Sequence, residues 1–397
     1  MSFPTTSING VAERGPSAAP LLTPARTTGP KPELPKGRTQ RVAALLGVER
    51  YQTLRQLYWL AARQDERAAP LPLRYKLWAW RRGFESRNVA IYDRAGVEAG
   101  EYVTDYDRLF RCIKINPFPT LLDKKLLLRR VLADRGFAQP ETVAVVLKHD
   151  TVLDPLGEGR RIATRDLEAH LLADGGRYIC KPEDGTYGIG ISLLEPQGGR
   201  LVRRRGNESR LFDQRRDARP VTLVERVVEQ HAFWQALSPY SANTLRILTM
   251  WTPGDAEPFI ARAAQRIGTE GTLPTDNWSG GGVSIPVDLD TGRLGQGRVF
   301  RFETKYEDKP YTHHPDTGVP FAGLTLPFWN RIREVVLAAA RSLPFVYYVG
   351  WDVAVDSHGT PVFVEGNNNT GTKMLQAHGG LLRDPAVRRF YERVGVL

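Results

Sequence analysis

The sequence predicts an α+β protein with a helical N-terminal extension, and three observations carry that prediction. Residues 349–370 (VGWDVAVDSHGTPVFVEGNNNT) read as a β-hairpin, two apolar runs around the turn residues Asp356-Ser357-His358-Gly359-Thr360. A strand ending at Lys181 enters a glycine-rich loop that leads into another strand, not a helix. Residues 41–63 and 327–343 carry apolar side chains at three- and four-residue steps, the spacing of amphipathic helices.

Composition bounds the answer. A chain of 397 residues has room for two or three domains, and 41% hydrophobic and 25% charged content is ordinary for a globular protein. No apolar run approaches the ~20 residues of a membrane span; the longest candidate, 335–340, is cut off by Arg341 and Pro344. The N-terminus lacks the charged, apolar and small-residue order of a signal peptide. Cys112 and Cys180 form neither a metal spacing nor a disulfide framework, so a reducing, cytoplasmic setting is expected. The net charge of +11 raises nucleic-acid binding. Its densest cluster, Arg203-Arg204-Arg205 followed by Arg210, Arg215, Arg216 and Arg219, has no interleaved aromatic residues and reads as a solvated loop. No nucleic-acid or membrane partner is therefore expected, and a basic site for anionic substrates is the second use of the charge. Nothing in the sequence speaks to an oligomeric state.

In chain order, residues 1–40 read as a disordered tail and 41–115 as a helical region whose Trp78 and Trp80 pack on the body. Asn116-Pro117 and Pro119 break the chain. Thr120 then opens a helix to Leu132 that carries Lys124 and Lys125, and Gly136 ends it. A strand at 143–147, a helix at 164–172 and a strand at 177–182 follow. The loop Glu183-Asp184-Gly185-Thr186-Tyr187-Gly188-Ile189-Gly190-Ile191 reads as a hairpin flap. Gly185, Gly188 and Gly190 let the backbone approach a phosphate, and Thr186 lies between them. Lys181 supplies a point charge at the flap's base. The strand 220–228 offers main-chain groups to a base around Val228, and Glu225 or Glu229 for an amine or hydroxyls. Arg246 sits on the strand 241–249, and Arg262 and Arg266 on 260–267, a pairing that suits planar anions. Residues 276–282 (DNWSGGG) form a second glycine loop. His313 and His314 are adjacent, so in a strand they point apart, which disfavours a metal site there.

The hairpin carries the sharpest signal. With a turn over 356–360, Asp352 falls opposite Glu365 or one step away, and the period of two puts Asn367 on the face of Glu365. All three offer the hard oxygen donors that Mg²⁺ takes, alongside water and phosphate. Glu365, with two oxygens, is read as bridging two ions.

The order of these parts resembles the ATP-grasp superfamily from about Asn116 to Gln376. In detail it is similar to the sugar-transfer-associated branch, related to alpha-L-glutamate ligases, through SANTLR (241–246), DNWSGGG (276–282), HPDTG (314–318), GWDVAV (350–355) and VEGN (364–367). The resemblance implies two α+β lobes clasping ATP, at 116–225 and 226–397. It implies Mg²⁺ on Asp352, Glu365 and Asn367, and ATP on Lys181 and one of Lys124 or Lys125. Arg246, with Arg266 and Asn243, stands where a carboxylate–amine ligase stabilises an acyl phosphate or oxyanion. Small-molecule acid and amine substrates follow from that activity. A phosphotransferase on the same fold is the first alternative. A non-catalytic basic nucleic-acid-binding or scaffold protein is the second, and the intact Asp352, Glu365 and Asn367 argue against it.

Overall fold

The computed structural model describes residues 47–59, 72–89, 99–184, 188–213, 221–301 and 310–397. The chain divides into two compact units, 1–54 and 55–397, and both sheets belong to the second. The expected tail at 1–40 lies outside the described residues, as do Gly185 and Thr186 of the glycine loop. The helix expected at 41–63 is described as Val48–Trp59.

An eight-stranded sheet is built from β1 (Thr142–Val146), β2 (Asp150–Leu153), β3 (Arg160–Ala163), β4 (Tyr178–Pro182), β5 (Ser192–Gln197), β6 (Arg200–Arg205), β7 (Glu208–Leu211) and β8 (Thr222–Arg226). Its order is β3-β2-β1-β8-β4-β5-β6-β7, antiparallel throughout. One face packs Ala144, Val146, Cys180, Leu194 and Val224 against Leu167 and Leu171 of the helix Leu167–Asp174. Because side chains alternate, Ile179, Lys181 and Glu225 leave on the other face. The flap is the β4–β5 connection, with Tyr178 paired to Leu194 and Cys180 to Ser192.

The second sheet has six strands: β9 (Leu245–Met250), β10 (Phe259–Ile267), β11 (Gly280–Pro286), β12 (Arg298–Arg301), β13 (Tyr348–Val355) and β14 (Pro361–Asn367). The order is β12-β11-β10-β9-β13-β14, again antiparallel. Strand β9 shows how its faces divide. Leu245 and Ile247 join a core with Ile332, Val336 and Ala339 of the amphipathic helix Trp329–Arg341. Leu248 and Met250 point the other way, into a core with Phe84 and Tyr102 from the connections of the N-terminal segment and Phe390 and Tyr391 from the helix Pro385–Arg393. Arg246 shares that second face one step beyond the core. The face is therefore sealed at one end and open at the other.

The N-terminal segment is stitched on by polar pairs as well. The Gln376 side chain donates to Val103 O at 3.0 Å and accepts from Val103 N at 2.8 Å. Asn116, which the sequence marks only as a break, is buried; its oxygen accepts from Tyr347 N and Tyr348 N, and its nitrogen donates to Tyr348 O and Asn368 Oδ1.

One element departs from expectation. The helix expected from Thr120 to Leu132 is two helices, Thr120–Asp123 and Lys125–Ala133, because Lys124 is extended at φ −106° and ψ 106°. Glu183 substitutes for an N-cap, its carboxylate accepting from Leu126 N at 3.1 and 3.2 Å. Burial first, against these bonds and neighbouring lysines, raises the Glu183 carboxyl above the usual range.

Candidate active site

The two sheets face each other across a cleft of about 1130 Å³. The wall on the second sheet follows from register. Asp352 pairs with Glu365, and Gly350 with Asn367, so the three predicted donors share a face. A bulge between Asp352 and Val353 sets this: Val353 pairs with Phe363, Val364 is the extra residue, and Glu365 thereby meets Asp352. Across the next ladder Asp352 pairs with Arg246, and Arg246 with Ala264 of β10. Arg266, two residues past Ala264, lands on the same face.

Contacts turn this row into a chain of alternating charge. Arg246 grips Asp352 with two bonds, Nε to Oδ1 at 2.5 Å and Nη2 to Oδ2 at 3.1 Å, and its Nη1 donates to Thr370 Oγ1 at 3.1 Å. Arg266 Nη2 lies 3.4 Å from Asp352 Oδ2 and 2.6 Å from Asp276 Oδ1. Asp276 also accepts from Thr244 N and Oγ1, at 2.8 and 2.5 Å. Burial pushes the Asp352 carboxyl up, and Arg246 and Arg266 more than offset it, holding it below the ordinary range. Gly350 makes room: a Cβ there would collide with the Thr370 hydroxyl and touch Arg246. Asn367 donates its amide nitrogen to Gly350 O at 3.0 Å, which fixes the amide plane.

Opposite, Lys181 is 2.7 Å from Glu225, and Arg129 reaches the other oxygen of Glu225 at 2.6 Å. Burial, only partly opposed by Glu225, lowers the Lys181 ammonium below its usual value. Lys125 lies one turn before Arg129 on its helix and bridges the walls, 3.4 Å from Glu365 Oε1 and donating to Glu183 O at 3.2 Å. The sequence leaves Lys124 and Lys125 open; the structure points Lys125 into the cleft, while Lys124 stands half-exposed, 3.6 Å from Asp184. The extended Lys124 backbone is what turns the two apart.

The remaining expected residues divide. Gly188, Val228 and Glu229 line the cleft, with Ile179 and Leu193 forming an apolar bed beside them. Gly190 turns the loop at φ 85° without joining the wall, and Gly185 and Thr186 lie outside the described residues. Glu225 is taken up by two cations and not presented to a ligand's hydroxyls. Asn243 requires correction: it is fully buried and does not reach the cleft. Its amide donates to Trp234 O and Ser238 O, and its oxygen accepts from Gly268 N and Ser241 Oγ, so it braces the segment ahead of β9. Arg262 likewise turns away, donating to Gly380 O at 3.3 Å. His314 pairs with Gly268 O at 2.8 Å, as a structural histidine does. Sequence reasoning missed Arg129, Thr244, Asp276 and Thr370. The signal for Arg129 was its four-residue spacing from Lys125.

Two antiparallel sheets closing on a cleft, a glycine flap on one and an acid–acid–amide row on the other, define an ATP-grasp protein. The chain belongs to the sugar-transfer associated ATP-grasp family, whose sequence model matches residues 107–386. No curated protein matches the sequence. Among solved structures, the ATP-grasp ligase PsnB complexed with minimal precursor, Mg and ADP is similar at 10% identity over 70% of this chain and 61% of that one, with a TM-score of 0.35. VanG D-Ala:D-Ser ligase from Enterococcus faecalis is similar at 13% identity over 69% and 61%, TM-score 0.35. The ADP complex of purK, N5-carboxyaminoimidazole ribonucleotide synthetase, is similar at 10% identity over 64% and 46%, TM-score 0.37. The chain spans about three-fifths of the PsnB chain's length. At these scores the likenesses add no argument to the family match.

The family implies a Mg²⁺–nucleotide site, and the donor set fits one. Among the described residues no three acid, histidine or cysteine side chains gather for an ion. The row here is two acids and an amide, and Mg²⁺ draws its other ligands from phosphates and water. Glu365 and Asn367 would hold it, together with Asp352 through the lone pairs its oxygens keep beyond their bonds to Arg246. Among the described residues no helix is long and apolar enough to cross a membrane.

Proposed function

We propose that the protein is an ATP- and Mg²⁺-dependent ligase that joins a carboxylate to an amine through an acyl phosphate and releases ADP and phosphate. The observation that carries this is the single face holding Arg266, Arg246, Asp352, Glu365 and Asn367 opposite Lys181 and Lys125. In this reading the stretches 116–225 and 226–397 act as the two lobes. The adenine lies on the apolar bed of Ile179, Leu193 and Val228, and Glu229 meets the ribose. Lys181 and Lys125 hold the phosphates, and the flap, through Gly188 and its neighbours, covers them. Two ions bound through Glu365 would neutralise the phosphates and align the γ-phosphoryl group.

Arg246 and Arg266 then do the chain's own chemistry. They stand where charge develops on the acyl phosphate and on the oxyanion formed by amine attack, and Asp352 and Asp276 fix their guanidiniums beforehand. Water must be kept from the acyl phosphate, which the flap achieves by closing.

Hydroxylamine tests the proposal. With ATP, Mg²⁺ and a panel of carboxylic acids, hydroxylamine in place of the amine should yield a hydroxamate together with ADP and free phosphate. A stable phosphorylated product with no hydroxamate would establish the phosphotransferase alternative, and AMP with pyrophosphate would place attack on the α-phosphate. Glu365→Ala should abolish turnover. Its side chain is 27% exposed but pairs with the buried Lys125, so the melting temperature should fall modestly while the fold survives.

A further inference from the structure

The cleft has an end beyond the nucleotide placement proposed above. Its wall there comes from the helical segment ahead of β1 and from the chain after β14, and includes Glu85, Arg108, Leu109, Lys373 and Met374. These charges are built in: Glu85 is 2% exposed and Arg108 7%. Behind them the buried Asp105 carboxylate accepts from Glu85 N at 2.9 Å and Asn88 Nδ2 at 2.7 Å, and Asn88 also reaches Glu85 Oε2 at 3.3 Å. Arg108 Nη1 donates to Asn369 Oδ1 at 3.4 Å, next to Thr370, which holds Arg246. Burial first, then the charge of Glu85, raises the Asp105 carboxyl, against the pull of Lys373 and Arg108. Asp105 thus lies within electrostatic reach of the other three.

Burying charges of both signs is costly, and apolar replacements of like volume often stabilise such a site. A cleft wall that keeps them includes a carboxylate and two cations, together with the apolar Leu109 and Met374. That pattern complements one common head group, a carboxylate next to an ammonium. The family match begins at residue 107, so Glu85, just ahead of the helix Ser86–Val89, stands outside it. Of the named wall residues, Arg108, Leu109, Lys373 and Met374 fall within the family match, and Glu85 is the part that this chain's extension adds.

We infer that this end of the cleft is a substrate subsite that takes an α-amino-acid head group, its carboxylate on Arg108 and Lys373 and its ammonium on Glu85. The reacting end of the substrate then extends toward Arg246. The role of the head group in ligation rests on the function proposed above; its binding does not.

Calorimetry on the full chain tests the subsite without any turnover. The probes are the proteinogenic L-α-amino acids, with the matching des-amino acid and decarboxylated amine for each, run alone and with ADP and Mg²⁺. At least one amino acid should bind, and loss of either charged group should weaken it by about tenfold or more. Arg108→Gln and Glu85→Gln should each weaken it by a similar factor and leave ADP affinity within about twofold. The inference is overturned if no amino acid binds, if the des-amino acid binds equally well, or if the variants bind as wild type does. Should both variants fail to melt cooperatively, the wild-type probe series decides alone. Amino-acid binding without ADP binding would sink the nucleotide reading and keep this one; ADP binding without amino-acid binding would do the reverse.

Discussion

Charge pairing at single residues makes the sharpest expectations. Lys181 is buried beside Glu225 with Arg129 on the far oxygen. Lys181→Ala leaves Glu225 paired with Arg129, so the fold should tolerate the change. A charged hydrogen bond to phosphate is worth ~1.5–3 kcal/mol, so ATP affinity should drop roughly tenfold or more; unchanged affinity in calorimetry would remove Lys181 from the site. Asp352 is held below the ordinary carboxylate range by two arginines that outweigh its burial. Asp352→Asn leaves Arg246 buried without its counter-charge and should cost ~3–5 kcal/mol at neutral pH, besides turnover. A carboxyl lowered by folding contributes stability that is complete above its unfolded value, about pH 4, and is lost as pH falls through the lower folded value. The stability gap between wild type and Asp352→Asn, read by urea unfolding, should therefore be widest near neutrality and narrow below about pH 4. A gap that stays constant down to acid unfolding would show that the pair does not couple to folding.

At the scale of elements, the hairpin was the most legible part of the sequence. Alternation along β13 and β14 is enough to put Asp352, Glu365 and Asn367 on one face, and the turn residues bracket the register to one step. The bulge at Val364 decided that last step, and no residue type announces a bulge made of ordinary valine. Helix phase was less legible. Lys124 and Lys125 look alike in one dimension, and an extended Lys124 backbone separates them because the Glu183 carboxylate takes over the helix start. The partners of Glu225 come from a different helix and a different strand, which no local pattern links. The same holds for Asn243, whose motif reads as catalytic while its amide is spent on the backbone of its own loop. Gly350 gives this scale its test. Its neighbour Thr370 occupies the space a Cβ would need, so Gly350→Ala should push Thr370 off Arg246. A loss of ~1–3 kcal/mol is expected from the overpacking, with a larger fall in turnover than in ATP affinity. Equal melting temperature and full activity would mean the loop moves aside freely.

For the whole molecule, the active face owes its position to both ends of the chain. The face of β9 that carries Arg246 is sealed by Phe84 and Tyr102 from one end and Phe390 and Tyr391 from the other. Removing the helices before Asn116 should thus expose Leu248 and Met250 as well as strip Glu85 and Arg108 from the cleft, and the truncated chain should aggregate. A soluble, cooperatively melting fragment from 116 onward would refute that dependence.

The loop that follows Glu365 bears on how such a protein can change over generations. Four neighbouring side chains there address four separate places: Asn367 the backbone of β13, Asn368 the Asn116 amide, Asn369 Arg108, and Thr370 Arg246. Inserting a single residue directly after Glu365 would put every one of them out of step at once. Lengthening the exposed turn between β1 and β2 or between β6 and β7 would disturb none. Variation in length should therefore collect in the turns of the first sheet, and a library of one-residue insertions screened for growth or turnover would reveal a short stretch of the chain that admits none.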